Sequence, residues 1–244
     1  MTLLHKIHKD EMYLYAKMLD KTKIKAIIFD IDGTLRDTDD EMVRRIELFL
    51  LHFEYFISSE KAKTAARRWV MNMENPAQKV LFYSDKWGWD TFIHKTVLFI
   101  RRILKPFKSK NNYLTIEGIQ DMIPKLAQHY PLAVASAGDR ETVLNFLENA
   151  GIQQYFTVIA TALTCPHTKP FADPLVWAAL QMGVLPEHCV MVGDTTVDIL
   201  AGKNAGTQTV GVLCGFGEKA ELEDLKPNLM LETTALLGEI LNNT

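Results

Sequence analysis

The stretch Ala26-Ile27-Ile28-Phe29-Asp30-Ile31-Asp32-Gly33-Thr34-Leu35 decides the reading of this chain. Four apolar residues in a row are what a strand buried on both faces of a parallel sheet requires. Asp30 and Asp32 follow at a spacing of two, which directs their side chains to the same side. They stand where the strand runs out, so both carboxylates reach one centre. Gly33 lets the backbone turn at once. Carboxylates paired in this way suit one nucleophile, one proton carrier and a shared cation. Asp and Gly are also ordinary turn residues, so a strand followed by an acidic turn is the bland alternative.

The chain has 244 residues, 48% apolar and 23% charged, which fits a soluble globular protein of one large domain or two small ones. A net charge of −3 gives no support to nucleic acid or an anionic membrane as partner. Cys165, Cys189 and Cys214 lack metal-ligand spacing and an even-numbered framework, so they read as reduced thiols in a cytoplasmic protein. No apolar run is long enough for a bilayer, and the N-terminus has no signal-peptide pattern. Residues 1–23 form a lysine-rich extension with a loose stripe of Leu3, Leu4, Ile7, Leu14, Met18 and Leu19, read as an extra helix or a leader. Met12 and Met18 leave room for a later translation start. His5 and His8 have no third ligand in view, so no metal is assigned to them.

Beyond residue 23, short apolar runs alternate with helical patterns. Strands are expected at 26–31, 132–136, 157–161, 189–193 and 209–213, each apolar on both faces. Helices are expected at 116–129, 140–149, 173–182 and 197–205, with Gly151, Gly183 and Gly206 as stops. Pro124 inside the first of these marks a kink or a first turn. Strand–helix alternation predicts an α/β fold, a doubly wound parallel sheet formed by 24–38 and 114–244. Residues 39–113 break the alternation with helical patterns at 41–53, 59–72 and 90–104 and a polar stretch at 105–112. They predict an inserted all-helical domain whose two connections act as hinges.

Ligands of parallel α/β sheets bind at the carboxyl ends of strands. The ends here supply Asp30 and Asp32, then Ser136, then Lys169 at some distance, then Asp194 and Asp198. Each has a plain reading alone: Ser136 as a turn residue, Lys169 as a loop lysine, Asp194 as a helix cap, Asp198 as an acid facing a helix dipole. Their joint occurrence at successive strand ends suits phosphate and a divalent cation.

In these motifs the chain resembles the haloacid dehalogenase-like (HAD) phosphohydrolases from about Lys25 to Gly217. Asp30-Ile31-Asp32-Gly33-Thr34-Leu35 is similar to the first family motif, Ser136 to the second, Lys169-Pro170 to the third, and Gly193-Asp194 with Asp198 to the fourth. The stretches 201–206 and 210–212 also look like the family. The resemblance implies a Rossmann-like core and a C1-type cap at 39–113, most like the phosphoglycolate-phosphatase-like branch. It implies that Asp30 is the nucleophile, forming an aspartyl-phosphate, and that Asp32 is the acid and base. It implies Mg²⁺ held by Asp30, Asp194 and the Asp32 carbonyl, with Asp198 behind them. Phosphate contacts are implied at Gly33, Thr34, Ser136, Ala137 and Lys169. Dehalogenase members lack the acid at the position of Asp32, so its presence favours phosphate chemistry.

The implied partner is a small phosphorylated metabolite, and the protein a monomer or homodimer. A phosphomutase of the β-phosphoglucomutase type and a non-catalytic phosphate-binding relative remain as alternatives. Two positions depart from the pattern. Arg36 stands where an apolar residue is common; it is read either as facing the substrate entrance, where it meets a carboxylate or second phosphate, or as a solvent-facing hinge residue. Ala137 stands where Asn is common, removing a phosphate-side donor. In the cap, Arg67, Arg68, Trp69, Lys79, Phe82, Tyr83, Trp87, Trp89, Phe92, Arg101 and Arg102 read first as a helical core with solvated basic faces, the alternative being aromatics that stack a base and basic residues that hold an acid, with Arg67 or Arg68 reaching the closed site.

Overall fold

The computed structural model describes residues 19–37 and 114–242. The expected cap helices, the cap aromatic and basic residues, His5, His8 and nearly all of the N-terminal extension lie outside them. The chain divides into two units, residues 1–38 with 113–244 and residues 39–112.

The core is one parallel sheet of six strands: β1 (Ala26–Phe29), β2 (Leu132–Ala135), β3 (Phe156–Ala160), β4 (Cys189–Gly193), β5 (Gln208–Val212) and β6 (Leu229–Leu231). Their order is β3-β2-β1-β4-β5-β6. The described helices are α1 (Ile119–Ala127), α2 (Arg140–Asn149), α3 (Asp173–Gln181), α4 (Thr196–Ala205), α5 (Lys219–Asp224) and α6 (Leu236–Asn242). Successive side chains of a strand point to opposite faces, and here each face has its own helices. Ile27, Phe29 and Val134 pack with Ile123 of α1, Phe146 of α2 and Leu237 of α6. Ala26, Ile28 and Ala133 pack with Leu175 and Ala178 of α3 and Ala201 of α4. The sheet is therefore covered on both sides, as the run of apolar residues in β1 requires.

Strand order reverses at β1, which pairs with β2 on one side and β4 on the other. A crevice opens at such a switch point because successive crossovers leave in opposite directions. Asp30 follows β1 and Asp194 follows β4, so topology alone brings these carboxylates to one cleft. The β1–β4 register puts Phe29 opposite Val192, and the Asp30 N–H still donates to the Val192 carbonyl at 2.9 Å.

Several boundaries differ from those read in the sequence. β1 ends at Phe29 because the chain closes into a loop in which the Leu35 and Arg36 N–H groups both donate to the Ile31 carbonyl, at 2.9 and 2.8 Å. α1 starts at Ile119 rather than 116 because its N-cap, Gly118, has φ +84° and stands outside the helix, while the Ile116 N–H donates to the Leu35 carbonyl at 3.1 Å. With the Asp37 N–H on the Leu114 carbonyl at 2.9 Å, this makes a short antiparallel stem where the chain leaves and re-enters the core. Pro124 lies beyond the first turn of α1, so its ring removes the usual partner of the Gln120 carbonyl. β3 is not apolar on both faces: Thr157 is exposed and Ile159 half-buried, because β3 is an edge strand. The sequence reading missed α5, β6 and α6. A three-residue strand has no periodicity to detect, and α5 and α6 span six and seven residues.

Phe29 is fully buried and meets Phe156 edge-on, with ring centroids 6.3 Å apart and planes at 89°. Phe29→Ala should destabilise the core by about 3–5 kcal/mol. Gln181→Ala, on the exposed end of α3, should stay within about 0.5 kcal/mol. Urea unfolding of the two variants checks this, and equal losses would contradict the assigned core.

Candidate active site

Three buried carboxylates converge at the switch point. Oxygens of Asp30, Asp194 and Asp198 all lie within 4.8 Å of one another. Lys169 enters between two of them, its Nζ donating to Asp30 Oδ1 at 2.7 Å and to Asp198 Oδ1 at 2.6 Å. The lysine side chain is only 4% exposed and Asp198 only 1%, so this pairing is screened from water. Asp30 Oδ2 accepts no hydrogen bond among the described residues, leaving one carboxylate oxygen unengaged.

Each partner is held by its own element. Asp198 sits in the first turn of α4, where its Oδ2 accepts from the Thr195 N–H at 3.1 Å and the Thr195 hydroxyl at 2.7 Å. The reciprocal bond makes a capping box, which ties two otherwise unsatisfied donors of the helix start to the site. Asp198 thus serves as helix acid and as lysine partner. Both its oxygens are engaged, which suits a supporting position behind a cation better than direct ligation. Lys169 follows β3 on a loop whose Pro170 carbonyl accepts from Asn204 Nδ2 of α4 at 2.9 Å.

Asp194 is wholly buried. Its Oδ1 accepts from the Thr34 hydroxyl at 3.1 Å and its Oδ2 from the Phe216 N–H at 2.8 Å. A Cβ on Gly33 or on Gly215 would run into this carboxylate, so glycine is needed at both sides of it. Gly33 also has φ +77°, a conformation side chains disfavour. The Gly33 N–H donates to the Arg36 carbonyl at 2.9 Å and the Thr34 N–H to the Ile31 carbonyl at 3.3 Å. In this arrangement Gly33 and Thr34 shape the loop and hold Asp194, their donors being engaged within the chain.

Asp32 lies apart from the three. Its side chain is 41% exposed, and its Oδ1 stands 3.1 Å from Arg36 Nε. Arg36 is neither a free hinge residue nor open to solvent: its side chain is 23% exposed and its guanidinium carbon lies 5.8 Å from the Phe146 ring centroid. Ser136 stands one residue beyond β2, its Oγ accepting from the Gly138 N–H at 3.0 Å. That leaves the hydroxyl hydrogen for another acceptor. Ala137 is half-buried and brings no side-chain donor. No hydrogen bond joins Ser136 to the three carboxylates.

The supporting residues escaped the sequence reading. Phe216 contributes only a backbone N–H, which no side-chain pattern announces; the Gly215-Phe216-Gly217 spacing just past β5 was the available sign. Thr234 donates to the Thr34 carbonyl at 2.7 Å from the start of the missed C-terminal helix. Thr195 and Asn204 lie within motifs that were noticed, yet their partners are set by tertiary contact.

Burial raises the Asp30 carboxyl to about 7; the Lys169 ammonium opposes the shift while Asp198 and Asp32 add to it. Burial also carries Asp194 well above its ordinary value, aided by Asp198 and Asp30 and opposed by the Phe216 N–H and the Thr34 hydroxyl. For Lys169 burial acts downward, but the Asp198 and Asp30 carboxylates outweigh it and hold the ammonium above its ordinary value. One ammonium facing three buried carboxylates leaves negative charge to be neutralised. An all-oxygen, acidic, buried donor set of this kind fits a hard divalent cation.

A doubly wound sheet with this site at its switch point defines the class: an α/β enzyme built for anionic phosphorus chemistry. The haloacid dehalogenase-like hydrolase model matches residues 27–212. The chain therefore belongs to the haloacid dehalogenase-like hydrolases. Pyrophosphatase PpaX of Bacillus cereus is 28% identical over 231 residues, covering 91% of this chain and 98% of that one. Among solved structures, a predicted phosphatase from Clostridium acetobutylicum superposes with TM-score 0.65 at 17% identity, covering 91% of this chain and 99% of that one. A predicted phosphoglycolate phosphatase from Haemophilus somnus gives TM-score 0.59 at 20% identity, with 89% and 98% covered. No described helix is long and apolar enough to cross a membrane.

The raised carboxyls set a pH dependence. Asp30 binds its proton more tightly when folded, so its stabilisation is full below the ordinary value of 3.8 and is lost as pH rises through about 7, and Asp194 is shifted in the same direction. The melting temperature of the ion-free protein should fall from about pH 5 to about pH 8, and Mg²⁺ should raise it most at the upper end. A flat ion-free profile, read by calorimetry, would refute the charge crowding.

Proposed function

We propose that this protein is a Mg²⁺-dependent phosphatase that hydrolyses a small phosphomonoester through an aspartyl-phosphate on Asp30. The observation that carries the reading is the Lys169 bridge: a buried ammonium fixed by Asp30 and Asp198, with the second Asp30 oxygen accepting no hydrogen bond among the described residues. Asp30 attacks phosphorus, the ester P–O bond breaks, and Asp32 gives a proton to the departing oxygen. Water then attacks phosphorus while Asp32 takes its proton, the acyl-phosphate P–O bond breaks, and Asp30 is regenerated with inorganic phosphate released. Dividing one displacement into two lowers each barrier. Lys169 and the Ala137 N–H after β2 face the negative oxygens of the transferring group, with Ser136 donating its free hydroxyl hydrogen. Asp30, Asp194 and the Asp32 carbonyl are the groups that would hold Mg²⁺, with Asp198 behind them. When bound, the cation supplies charge neutralisation for phosphate among these carboxylates. Residues 39–113 serve in this reading as the cap that closes over the substrate and excludes water.

The likeness to relatives named pyrophosphatase favours a second substrate reading, inorganic pyrophosphate, on the same residues. A panel of 2-phosphoglycolate, pyrophosphate, hexose phosphates and para-nitrophenyl phosphate with Mg²⁺, read by released phosphate, separates these. Isomerised sugar phosphate without phosphate release would instead indicate a mutase. Asp30→Asn should abolish turnover, and Asp32→Ala should lower kcat by about a hundredfold or more. Undiminished activity in either variant overturns the assigned roles.

A further inference from the structure

Arg36 lies in the nucleophile loop with no role in the phosphatase reading, and the sequence marks it as a departure. Its surroundings are specific. The backbone at Arg36 bridges to Asp32 on one side and to Thr115 on the other. Its N–H donates to the Ile31 carbonyl at 2.8 Å and its carbonyl accepts from the Gly33 N–H at 2.9 Å. The guanidinium rests on Phe146, itself 1% exposed in the core, a contact that fixes an otherwise flexible side chain. From that fixed position Nε stands 3.1 Å from Asp32 Oδ1.

The contact is one-sided. Asp32 Oδ1 is buried and accepts no hydrogen bond among the described residues, so Arg36 meets it as an ion pair alone, although the side chain as a whole is 41% exposed. The open edge of the carboxylate is therefore Oδ2. A free Asp side chain exchanges its two oxygens by rotation about its terminal bond. An ion pair between Oδ1 and a guanidinium that is itself seated on an aromatic ring disfavours that exchange. We infer that Arg36 is a positioning residue for Asp32: it fixes Oδ1 and leaves Oδ2 as the oxygen that exchanges protons with the leaving group and with water. This inference rests on the acid–base role of Asp32 given above. Misplacement of a catalytic group by about an ångström costs on the order of a hundredfold in rate, so a partial loss of orientation has a measurable price.

The test uses the full-length protein with Mg²⁺ and two substrates of one shape, para-nitrophenyl phosphate and phenyl phosphate. The first leaving group departs without help, whereas the second gains from protonation. Their ratio of kcat/KM reports proton donation and is independent of the fraction of protein folded. Asp32→Asn should raise the ratio about tenfold. Arg36→Met should raise it about threefold, and Arg36→Lys, which keeps the charge, should recover part of the change. In the Asp32→Asn background, Arg36→Met should add nothing, because its effect passes through Asp32.

A wild-type ratio in Arg36→Met, or an equal further increase in the double variant, overturns the inference while leaving the role of Asp32 intact. So does a loss in Arg36→Met confined to substrates with a second anionic group, which would assign the guanidinium to substrate. An unchanged ratio in Asp32→Asn removes the acid–base reading and this inference with it.

Discussion

A buried ammonium between two buried carboxylates is the interaction on which the rest of the site depends. Desolvating Asp30 or Asp198 alone would be costly, and each is tolerated because Lys169 stands within 2.7 Å of both. The dependence is mutual, since burial by itself would disfavour the ammonium. Removing one member of such a group typically costs about 3–5 kcal/mol because the remaining charges are left uncompensated. The three segments that meet there come from β1, the loop after β3 and the start of α4. Their meeting is thus a condition of stability as well as of chemistry.

Compensation is incomplete by one further carboxylate, and the fold tolerates this by hydrogen bonding in place of charge. Asp194 has no ammonium partner among the described residues. It receives the Thr34 hydroxyl and the Phe216 N–H and lies between two glycine backbones. Those contacts hold the carboxylate in place without neutralising it, which is why its proton affinity stays raised. A position that is geometrically fixed and electrostatically unsatisfied is what a cation site requires before its ion arrives.

The sequence exposed this arrangement unevenly, for physical reasons. β4 and α2 were legible to the residue, because Cys189–Gly193 and Arg140–Asn149 have continuous apolar or amphipathic patterns with clear ends. The residues that meet at the switch point were legible because strand ends in a parallel sheet are chemically marked. The return of the chain at Ile116 was not, since the helical pattern is broken by the left-handed Gly118 and Ile116 pairs with Leu35 instead. Phe216 and Thr234 were illegible because they act through a backbone N–H and through a residue two hundred positions away in the chain. Arg36 was noticed as unusual, but its direction could not be read. The same guanidinium fits a substrate, solvent or a neighbouring carboxylate, and only the Phe146 ring beneath it selects the last.

That selection joins two parts of the molecule. The stem that pairs Asp37 with Leu114 and Leu35 with Ile116 is where the chain leaves the core for residues 39–112 and returns. Arg36 stands in the middle of this stem, bridged to Thr115, with its side chain on Asp32. A shift of the stem would displace the Arg36 backbone, and with it the guanidinium that holds Asp32. Asp30 has no such link; it is tied to β4 through Val192 and to Lys169. Asp30 is thus anchored in the sheet, whereas Asp32 is anchored in the crossover. A shift of the two crossing segments would therefore reach the Asp32 carboxylate before it reached that of Asp30.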